Sequence, residues 1–305
     1  MIFSVTILGS NSATPLIERH PTAQVVNHLH RLFLVDCGEG TQVQLARYKT
    51  KIQRISHIFI SHLHGDHYFG LIGLIMTYHL FGRQTPLHIY ANHELEQIIH
   101  LQLKASMSSL VYPLVFHAID ANAHQVIYSD NYLDVSTIPM NHRVPTCGFL
   151  FKEKLRDQNL REGVLRELGI PYDAVPSIKH GGGYLTSTGK FYENAELAYP
   201  PLPVRSFAYC SDTAIYEPIA AIIKNADLLY HEATFMHDRV ETAREKYHST
   251  TIDAATLAKE SGAKKLVIGH YSARYDDLQP LLMEARSVFP ESYLATEGAV
   301  FNVVD

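Results

Sequence analysis

Three histidines and one aspartate lie close together in the stretch "ISHLHGDHYFG", residues 60–70. An apolar, strand-like run ends near His62 and a second apolar run follows the aspartate, so these residues should form a loop between two rigid elements. His62 and His64 are two residues apart and can reach one metal ion, while the adjacent Asp66 and His67 can turn towards a second. The spacing therefore indicates a metal site with donors for two ions.

Two ordinary explanations compete with this one. Asp66 is well placed to cap the helix that should follow it, and a histidine-rich surface loop can arise by chance. Capping leaves the three histidines unexplained, and a chance loop would have to fall at a strand end beside a buried helix. The metal explanation accounts for all four side chains.

Further donors stand at the ends of other strand-like runs, namely His142, Asp212 and His270. Taken singly, each histidine is more often a surface or satisfied core residue, and Asp212 can be the cap of a helix or turn. Taken together, all three emerge from strand ends, the usual position of active-site residues in α/β sheets.

Histidine and aspartate donors without thiolates fit zinc in an open catalytic site, and manganese or iron would also accept this set. A carboxylate such as Asp212 can bridge two ions roughly 3.5–4 Å apart, a separation that suits hydrolysis at phosphorus. Such chemistry needs no covalent nucleophile, in keeping with the lack of a convincing Ser/His/Asp or Cys/His arrangement.

The elements that must position these donors follow a strand–helix rhythm. With 305 residues, 46% of them hydrophobic and 19% charged, the chain can form one large α/β domain or two ordinary ones. Strands are predicted at "FSVTILGS", "AQVVNH", "HRLFLVDCGEG", "ISHIFISH", "TPLHIYAN" and "KKLVIGHY", and helices at "GTQVQLARY", "HELEQIIHLQLKASM" and "TIDAATLAKESGA". Two βα-rich halves result.

The formal charge of −5 excludes a generally basic nucleic-acid binder, so a polyanion would have to be bound locally. The N-terminus carries no recognisable export signal, and the longest apolar stretch, Tyr68 to Gly82, is too short for a bilayer span and is predicted to be a buried helix. Cys37, Cys147 and Cys210 are odd in number and far apart, which fits the cytoplasm.

Between the halves, residues 152–203 are charged at first, contain three consecutive glycines and end in a proline cluster. Composition alone favours a solvated connection over an arm that touches a substrate.

The motif "HLHGDH", with a later single histidine, a strand-end aspartate and a final histidine, resembles the metallo-β-lactamase superfamily. Within it the chain resembles the ribonuclease Z family, the tRNA 3′-processing endonucleases, in its short form. That narrower resemblance rests on "VDCGEGTQ" (Val35 to Gln42), "HEATF" (His231 to Phe235), "HST" (His248 to Thr250) and the segment after His142, and it runs from "LGSNSATP" to "GHYSARY".

The resemblance implies a four-layer αβ/βα sandwich with metals at one edge between two sheets, formed by a single domain, residues 1–305, with an inserted exosite arm, residues 152–203. It implies two Zn²⁺ per chain, one held by His62, His64 and His142, the other by Asp66, His67 and His270, with Asp212 bridging. Asp66 would also be the general base. Glu232 and His248 would assist proton transfer to the leaving 3′ oxygen, although a surface helix position and a turn position, respectively, are their ordinary explanations.

The same resemblance makes the arm a clamp on precursor tRNA, often across a homodimer. Phosphate would then be bound, despite the negative net charge of the chain, by a local patch of Lys152, Lys154, Arg156, Arg161 and Arg166. Arg19, in the early loop "SATPLIERHPTAQ", would contact RNA, and its ordinary explanation is a surface arginine in a turn.

The leading hypothesis is therefore a cytoplasmic, zinc-dependent endoribonuclease. It would remove the 3′ trailer of precursor tRNA by two-metal hydroxide attack, leaving a tRNA 3′-hydroxyl and a trailer 5′-phosphate. A hydrolase of a small phosphodiester, thioester or lactone on the same fold is the alternative, which the arm and "HEATF" disfavour. A non-catalytic metal- or RNA-binding protein is a third hypothesis, disfavoured by the complete set of ligand positions.

Overall fold

The computed structural model describes residues 2–304, and these form two large sheets, a small hairpin and flanking helices. The strands are β1 (Phe3–Gly9), β2 (Ala23–His28), β3 (Arg31–Val35), β4 (Ile55–Phe59), β5 (Leu87–Ala91), β6 (Leu114–Ala118), β7 (Val126–Ser129), β8 (Leu133–Pro139), β9 (Cys147–Glu153), β10 (Tyr184–Leu185), β11 (Phe191–Tyr192), β12 (Ser206–Cys210), β13 (Leu228–Glu232), β14 (Leu266–Gly269), β15 (Ser292–Leu294) and β16 (Val300–Asn302). The helices are α1 (Thr41–Arg47), α2 (Gly65–Tyr68), α3 (Leu71–Leu80), α4 (Glu94–Ala105), α5 (Glu162–Glu167), α6 (Val175–Lys179), α7 (Asn194–Leu197), α8 (Pro218–Ile222), α9 (Val240–Lys246), α10 (Thr251–Ser261) and α11 (Gln279–Val288).

Each large sheet has seven strands and mixes parallel with antiparallel pairs. The first has the order β16-β1-β2-β3-β4-β5-β6, antiparallel from β16 to β3 and parallel from β3 to β6. The second has the order β15-β14-β13-β12-β9-β8-β7, with β12 to β15 parallel. Register brings Glu232 opposite Gly269, so β13 and β14 end together beside His270. Parallel strands thus deliver side chains to a common edge.

The two sheets face each other through aromatic side chains. Phe59 lies 5.4 Å from Phe149 and 5.6 Å from Phe151, measured between ring centroids, and Phe33 lies 5.9 Å from Phe151. Because side chains alternate along a strand, the neighbours of these phenylalanines point outwards to the helices. The inner layer is therefore a phenylalanine core shared by both sheets.

Helices cover both outer faces. Apolar residues of α1, α3 and α4 pack with the first sheet, and those of α8, α10 and α11 pack with the second. The four-layer αβ/βα sandwich expected from the sequence is confirmed.

Helix α3 corresponds to the long apolar stretch, but only one of its faces is buried. Leu71, Leu74, Ile75 and Tyr78 are inaccessible to solvent, whereas Leu80 is 77% exposed. The buried positions follow the spacing of an amphipathic helix, so the predicted buried helix is correct for one face only.

A second compact unit comprises residues 129–134 and 152–205, and the predicted arm, residues 152–203, lies inside it. It contains α5, α6, α7 and the β10–β11 hairpin around a small core of Leu165, Ile178, Leu197 and Ala198. Glu153, 5% exposed, receives hydrogen bonds from the guanidinium groups of Arg156 (2.6 Å) and Arg205 (2.8 Å).

Among residues 2–304, no helix combines the length and the apolar character needed to cross a membrane.

Gly70, between α2 and α3, allows a close backbone approach that we expect to be intolerant of a side chain. A Cβ added there would lie 2.1 Å from the carbonyl oxygen of Gly38, which belongs to the backbone and cannot rotate away. We expect Gly70→Ala to lower the free energy of unfolding by about 1–3 kcal/mol, measured by urea denaturation.

Gly73→Ala is the matched control, because a Cβ at Gly73 would meet only the flexible side chain of Gln42, at 3.3 Å. Alanine should keep or raise stability there, by up to about 1 kcal/mol. Equal effects of the two substitutions would contradict the close-approach explanation.

Candidate metal centre

The predicted donors emerge from strand ends of both sheets. His62 and His64 lie between β4 and α2, and Asp66 and His67 lie in α2. His142 follows β8, Asp212 follows β12 and His270 directly follows β14. The structure therefore brings together all seven residues that the sequence singled out.

Asp66 does not act as a helix cap. His64 occupies the N-cap position of α2, and the Asp66 carboxylate instead accepts a hydrogen bond of 2.7 Å from the backbone N–H of Ala13. The capping explanation of Asp66 was wrong, because the side chain points to the early loop.

One group of donors consists of His62, His64, His142 and Asp212. The Nδ1 atom of His64 lies 3.0 Å from Nε2 of His62 and 3.3 Å from Nε2 of His142. Oδ2 of Asp212 lies 3.7 Å and 3.8 Å from those two Nε2 atoms. Nitrogen ligands about 2.0–2.1 Å from one tetrahedral ion would be spaced in this way.

A second group consists of Asp66, His67, His270 and the other oxygen of Asp212. The Nε2 atoms of His67 and His270 are 3.4 Å apart, and Oδ2 of Asp66 lies 3.6 Å and 3.4 Å from them. Oδ1 of Asp212 lies 3.3 Å and 3.2 Å from the same two atoms. Asp212 thus presents one oxygen to each group.

The outer nitrogen of four histidines is held by a hydrogen-bond acceptor. These pairs are His62 with Ser61 Oγ (3.0 Å), His67 with Asp36 Oδ2 (2.7 Å), His142 with Tyr247 O (2.8 Å) and His270 with Thr234 Oγ1 (2.8 Å). When Nδ1 donates its proton outwards, the Nε2 lone pair faces the centre of the group. This arrangement is the one that metal-binding histidines use.

The donor set fits divalent metal ions. Oδ1 of Asp212 is buried and makes no hydrogen bond within residues 2–304, and burial lowers the pKa of His62 well below its ordinary value, which keeps its lone pair available. The three cysteines are buried and unpaired and belong to neither group. A buried carboxylate oxygen surrounded by imidazole lone pairs calls for a cation.

Glu232 and His248 form a buried ion pair beside these donors, with His248 Nδ1 2.8 Å from Glu232 Oε1. Glu232 is the last residue of β13 and is inaccessible to solvent, and it accepts further hydrogen bonds from the backbone of Thr213, Thr234 and Ser249. Burial alone would lower the pKa of His248, but the Glu232 carboxylate raises it to about 9. The ordinary explanation of Glu232 as a surface helix residue was therefore wrong.

A cavity of about 450 Å³ opens onto this centre. His64, Asp66, Asp212, His248 and His270 line it, together with residues of the early loop, Phe69 and Arg143. A substrate entering the cavity would meet both donor groups and His248 at once.

Comparison with known proteins identifies the family. The family model described as Anti-Pycsar protein Apyc1 matches residues 3–160, just over half of the chain. This part of the chain therefore belongs to the family that the model describes. A ribonuclease Z of Bacteroides fragilis is 44% identical over 301 residues, covering 99% of both chains, and one of Porphyromonas gingivalis is 44% identical over 295 residues, covering 97% of both. The chain belongs to the ribonuclease Z family.

Solved structures agree with this assignment to the ribonuclease Z family. The short form of human tRNase Z superposes with a TM-score of 0.73 at 28% identity, covering 99% of this chain and 100% of that one. The metallo-β-lactamase fold protein YhfI of Bacillus subtilis gives a TM-score of 0.69 at 18% identity, with 99% coverage of both, which supports the fold alone.

Three residues near the centre were not assigned a role from the sequence, namely Asp36, Tyr209 and Thr234. Asp36 accepts hydrogen bonds from His67 and Tyr209, and Thr234 connects His270 with Glu232. Asp36 is part of the "VDCGEGTQ" motif and follows β3, and that strand-end position is the signal that could have singled it out.

Backbone in the left-handed region is found at three positions of the centre. Asp36, Tyr247 and His270 have φ of 56°, 58° and 59°. Such residues cost roughly 1–3 kcal/mol each and cluster at functional sites, where the surrounding contacts enforce them.

Arg19, Lys154 and Arg156, three of the predicted RNA-contacting residues, already have polar partners. Arg19 donates to Tyr275 O (2.6 Å) and does not line the cavity. In the second unit Lys152 is exposed, Lys154 pairs with Asp134 (3.1 Å) and Arg156 pairs with Glu153.

Asp212 is the donor common to both groups, so its removal should affect both. We expect Asp212→Ala to retain less divalent metal than the parent, and to lose most of any rise in Tm that added divalent metal causes. Metal content after dialysis and thermal unfolding measure the two effects.

His93→Ala is the matched control, because this exposed histidine lies outside both groups. Parental metal content in Asp212→Ala would contradict the shared role of Asp212.

Proposed function

We propose that this chain is a metal-dependent endoribonuclease that removes the 3′ trailer of precursor tRNA, leaving a 3′-hydroxyl on the tRNA and a 5′-phosphate on the trailer. The observation that carries the proposal is that two donor groups, each with an oxygen of Asp212, lie beside the Glu232–His248 pair and open onto one cavity. The ribonuclease Z relatives along the full chain, and the human structure named tRNase Z, support tRNA as the substrate.

Two ions, proposed to be Zn²⁺, would be held by this chain. One ion would be held by His62, His64 and His142, the other by Asp66, His67 and His270, and Asp212 would contribute to both. Mn²⁺ and Fe²⁺ suit the same donors. Bound there, the ions would supply Lewis-acid stabilisation of the charge that a phosphodiester gains during hydrolysis.

Asp66 would act as the general base. Its carboxylate lines the cavity, and the backbone N–H of Ala13 fixes its orientation through Oδ2. A carboxylate so fixed can take the proton of an attacking water while keeping its position relative to phosphorus.

His248 would donate a proton to the leaving 3′ oxygen. Nδ1 of His248 is occupied by Glu232, so Nε2 is the ring nitrogen left for the substrate. Glu232 favours the protonated ring and holds its orientation, and the backbone donors around Glu232 keep that carboxylate charged. The pair can therefore supply the proton that an alkoxide leaving group requires.

The leaving group provides a test of this role. We expect His248→Ala to lower kcat on precursor tRNA by about 10²–10⁴-fold, because the ribose oxygen departs only when protonated. On bis(p-nitrophenyl) phosphate the loss should stay below about tenfold, since p-nitrophenolate leaves without a proton.

Metal content of His248→Ala should equal that of the parent, and His93→Ala should match the parent on both substrates. Equal losses on the two substrates would show that His248 does not serve as the proton donor.

The second unit, residues 129–134 and 152–205, is proposed as the exosite that binds tRNA. Lys152 is exposed, and Lys154, Arg156, Arg161 and Arg166 lie in the same unit. Arg19, in the early loop, is proposed as a further RNA contact.

Removal of the arm should separate RNA binding from the chemistry. A chain in which a short Gly/Ser linker replaces residues 155–197 should lose cleavage of precursor tRNA by at least about 100-fold, because the contacts that position the RNA are gone. Hydrolysis of bis(p-nitrophenyl) phosphate should remain within about threefold of the parent, because the donor groups lie in the other unit.

An intact chain that cleaves the small diester but not precursor tRNA would favour the alternative function, hydrolysis of a small phosphodiester, thioester or lactone. Loss of both activities in the shortened chain would contradict the proposal that the second unit binds the RNA while the metal centre carries out the chemistry.

The proposed setting is the cytoplasm, supported by three buried, unpaired cysteines. The proposed assembly is a homodimer, which light scattering coupled to gel filtration tests directly.

A further inference from the structure

Asp36 is a buried carboxylate with four hydrogen-bond donors. Oδ2 accepts from Nδ1 of His67 (2.7 Å), from the hydroxyl of Tyr209 (2.5 Å) and from Oγ of Ser61 (2.9 Å), and Oδ1 accepts from the backbone N–H of Ser61 (2.7 Å). Asp36, Tyr209 and the His67 side chain are all inaccessible to solvent. Every donor in this set is therefore fixed by the interior of the fold.

Tyr209 reaches Asp36 from the opposite sheet. Asp36 follows β3 of the first sheet, whereas Tyr209 lies on β12 of the second, 173 residues further along the chain. A second hydrogen bond crosses nearby, from Ser211 Oγ to Ser61 Oγ at 2.9 Å. Ser211 immediately precedes Asp212, so the crossing bonds join the two loops that supply donors to both ions.

We propose that Tyr209 is a positioning residue of the metal centre, which acts through Asp36 to fix the ring of His67 and hence the ion held by Asp66, His67 and His270. The proposal rests on the metal centre of the proposed function. It assigns to the hydroxyl of a tyrosine that lies on the opposite sheet from His67 control over one of the two ions.

The effect should be larger for one ion, because His67 bonds to Asp36 directly whereas His62 is connected to Asp36 only through Ser61 Oγ. Without the hydroxyl, Oδ2 of Asp36 keeps Ser61 and His67 but loses its restraint from the second sheet, and the carboxylate can rotate with the imidazole. His142, by contrast, is oriented by Tyr247 O, and His64 presents Nδ1 rather than Nε2. The ion held by His62, His64 and His142 should therefore be affected much less.

Tyr230 provides a matched control on the neighbouring strand. Its ring stacks on that of Tyr209 at 5.1 Å with an interplanar angle of 17°, and it is 1% exposed. Its hydroxyl is buried without a hydrogen-bond partner among the described residues. Tyr209→Phe and Tyr230→Phe thus remove the same atom from two stacked rings, and only the first removal breaks a link to Asp36.

The experiment is a Zn²⁺ titration of the metal-free, full-length chain against a chromophoric chelator, with folding checked by circular dichroism. We expect Tyr209→Phe to bind one ion within about threefold of the parental affinity and the other about 10- to 100-fold more weakly, and Tyr230→Phe to bind both within about threefold of the parent. Titration with Co²⁺ should show a changed visible spectrum only for the weakened ion of Tyr209→Phe.

Parental affinities for both ions in Tyr209→Phe would overturn the proposal, and so would equal weakening in the two variants, which would indicate packing alone. If Tyr209→Phe does not fold, Asp36→Asn tests the same link, with the same selective loss expected and parental binding overturning it. A parent that binds fewer than two ions overturns the metal centre and this proposal with it. The titration contains no RNA, so a failure on precursor tRNA alone leaves the positioning role of Tyr209 standing.

Discussion

The buried carboxylate of Asp212 is the constraint on which the rest of the centre depends. Its two oxygens face two different sets of nitrogens at 3.2–3.8 Å, and it is 2% exposed. A carboxylate in such surroundings is costly unless positive charge lies beside it. Burial by itself would lower the pKa of His67, but Asp212, Asp66 and Asp36 raise it well above its ordinary value. A metal ion bound there would compete with protons for the same ring nitrogens and would supply the positive charge that these carboxylates require.

The fold meets this constraint by bringing strand ends of two sheets to one place. The first sheet supplies His62 to His67, the second supplies His142, Asp212 and His270, and the phenylalanine layer between them fixes the distance across which they meet. The chain must turn sharply as it leaves the strands, which accounts for the left-handed backbone at Asp36 and His270. Strain at these positions is sustained because the packed sheets leave the loops no alternative path.

Much of this arrangement could be predicted from the sequence, for a definite reason. The motif at residues 62–67 is local, and His142, Asp212 and His270 share a property visible in one dimension, a position at the end of an apolar run. The hydrogen bond from Tyr209 to Asp36 has no comparable signal in the sequence, since Tyr209 is one of many residues in apolar strands and its partner is distant in the chain. The burial of Glu232 could not be predicted for the same reason, because its charge is balanced by donors that only the fold assembles.

The number of basic residues in the second unit does not by itself predict how strongly that unit binds phosphate. Lys154 and Arg156 were expected to bind phosphate, yet each already has a carboxylate partner, Asp134 and Glu153, and the unit carries about as many acidic as basic side chains. A phosphate would have to compete with those carboxylates, so each such contact contributes less than that of a free cation. The proposed RNA contact must therefore draw on other features, such as Tyr172, which is 93% exposed and offers a face for stacking. Recognition built in this way depends on the shape of the RNA more than on its charge, which suits a protein whose total charge is negative.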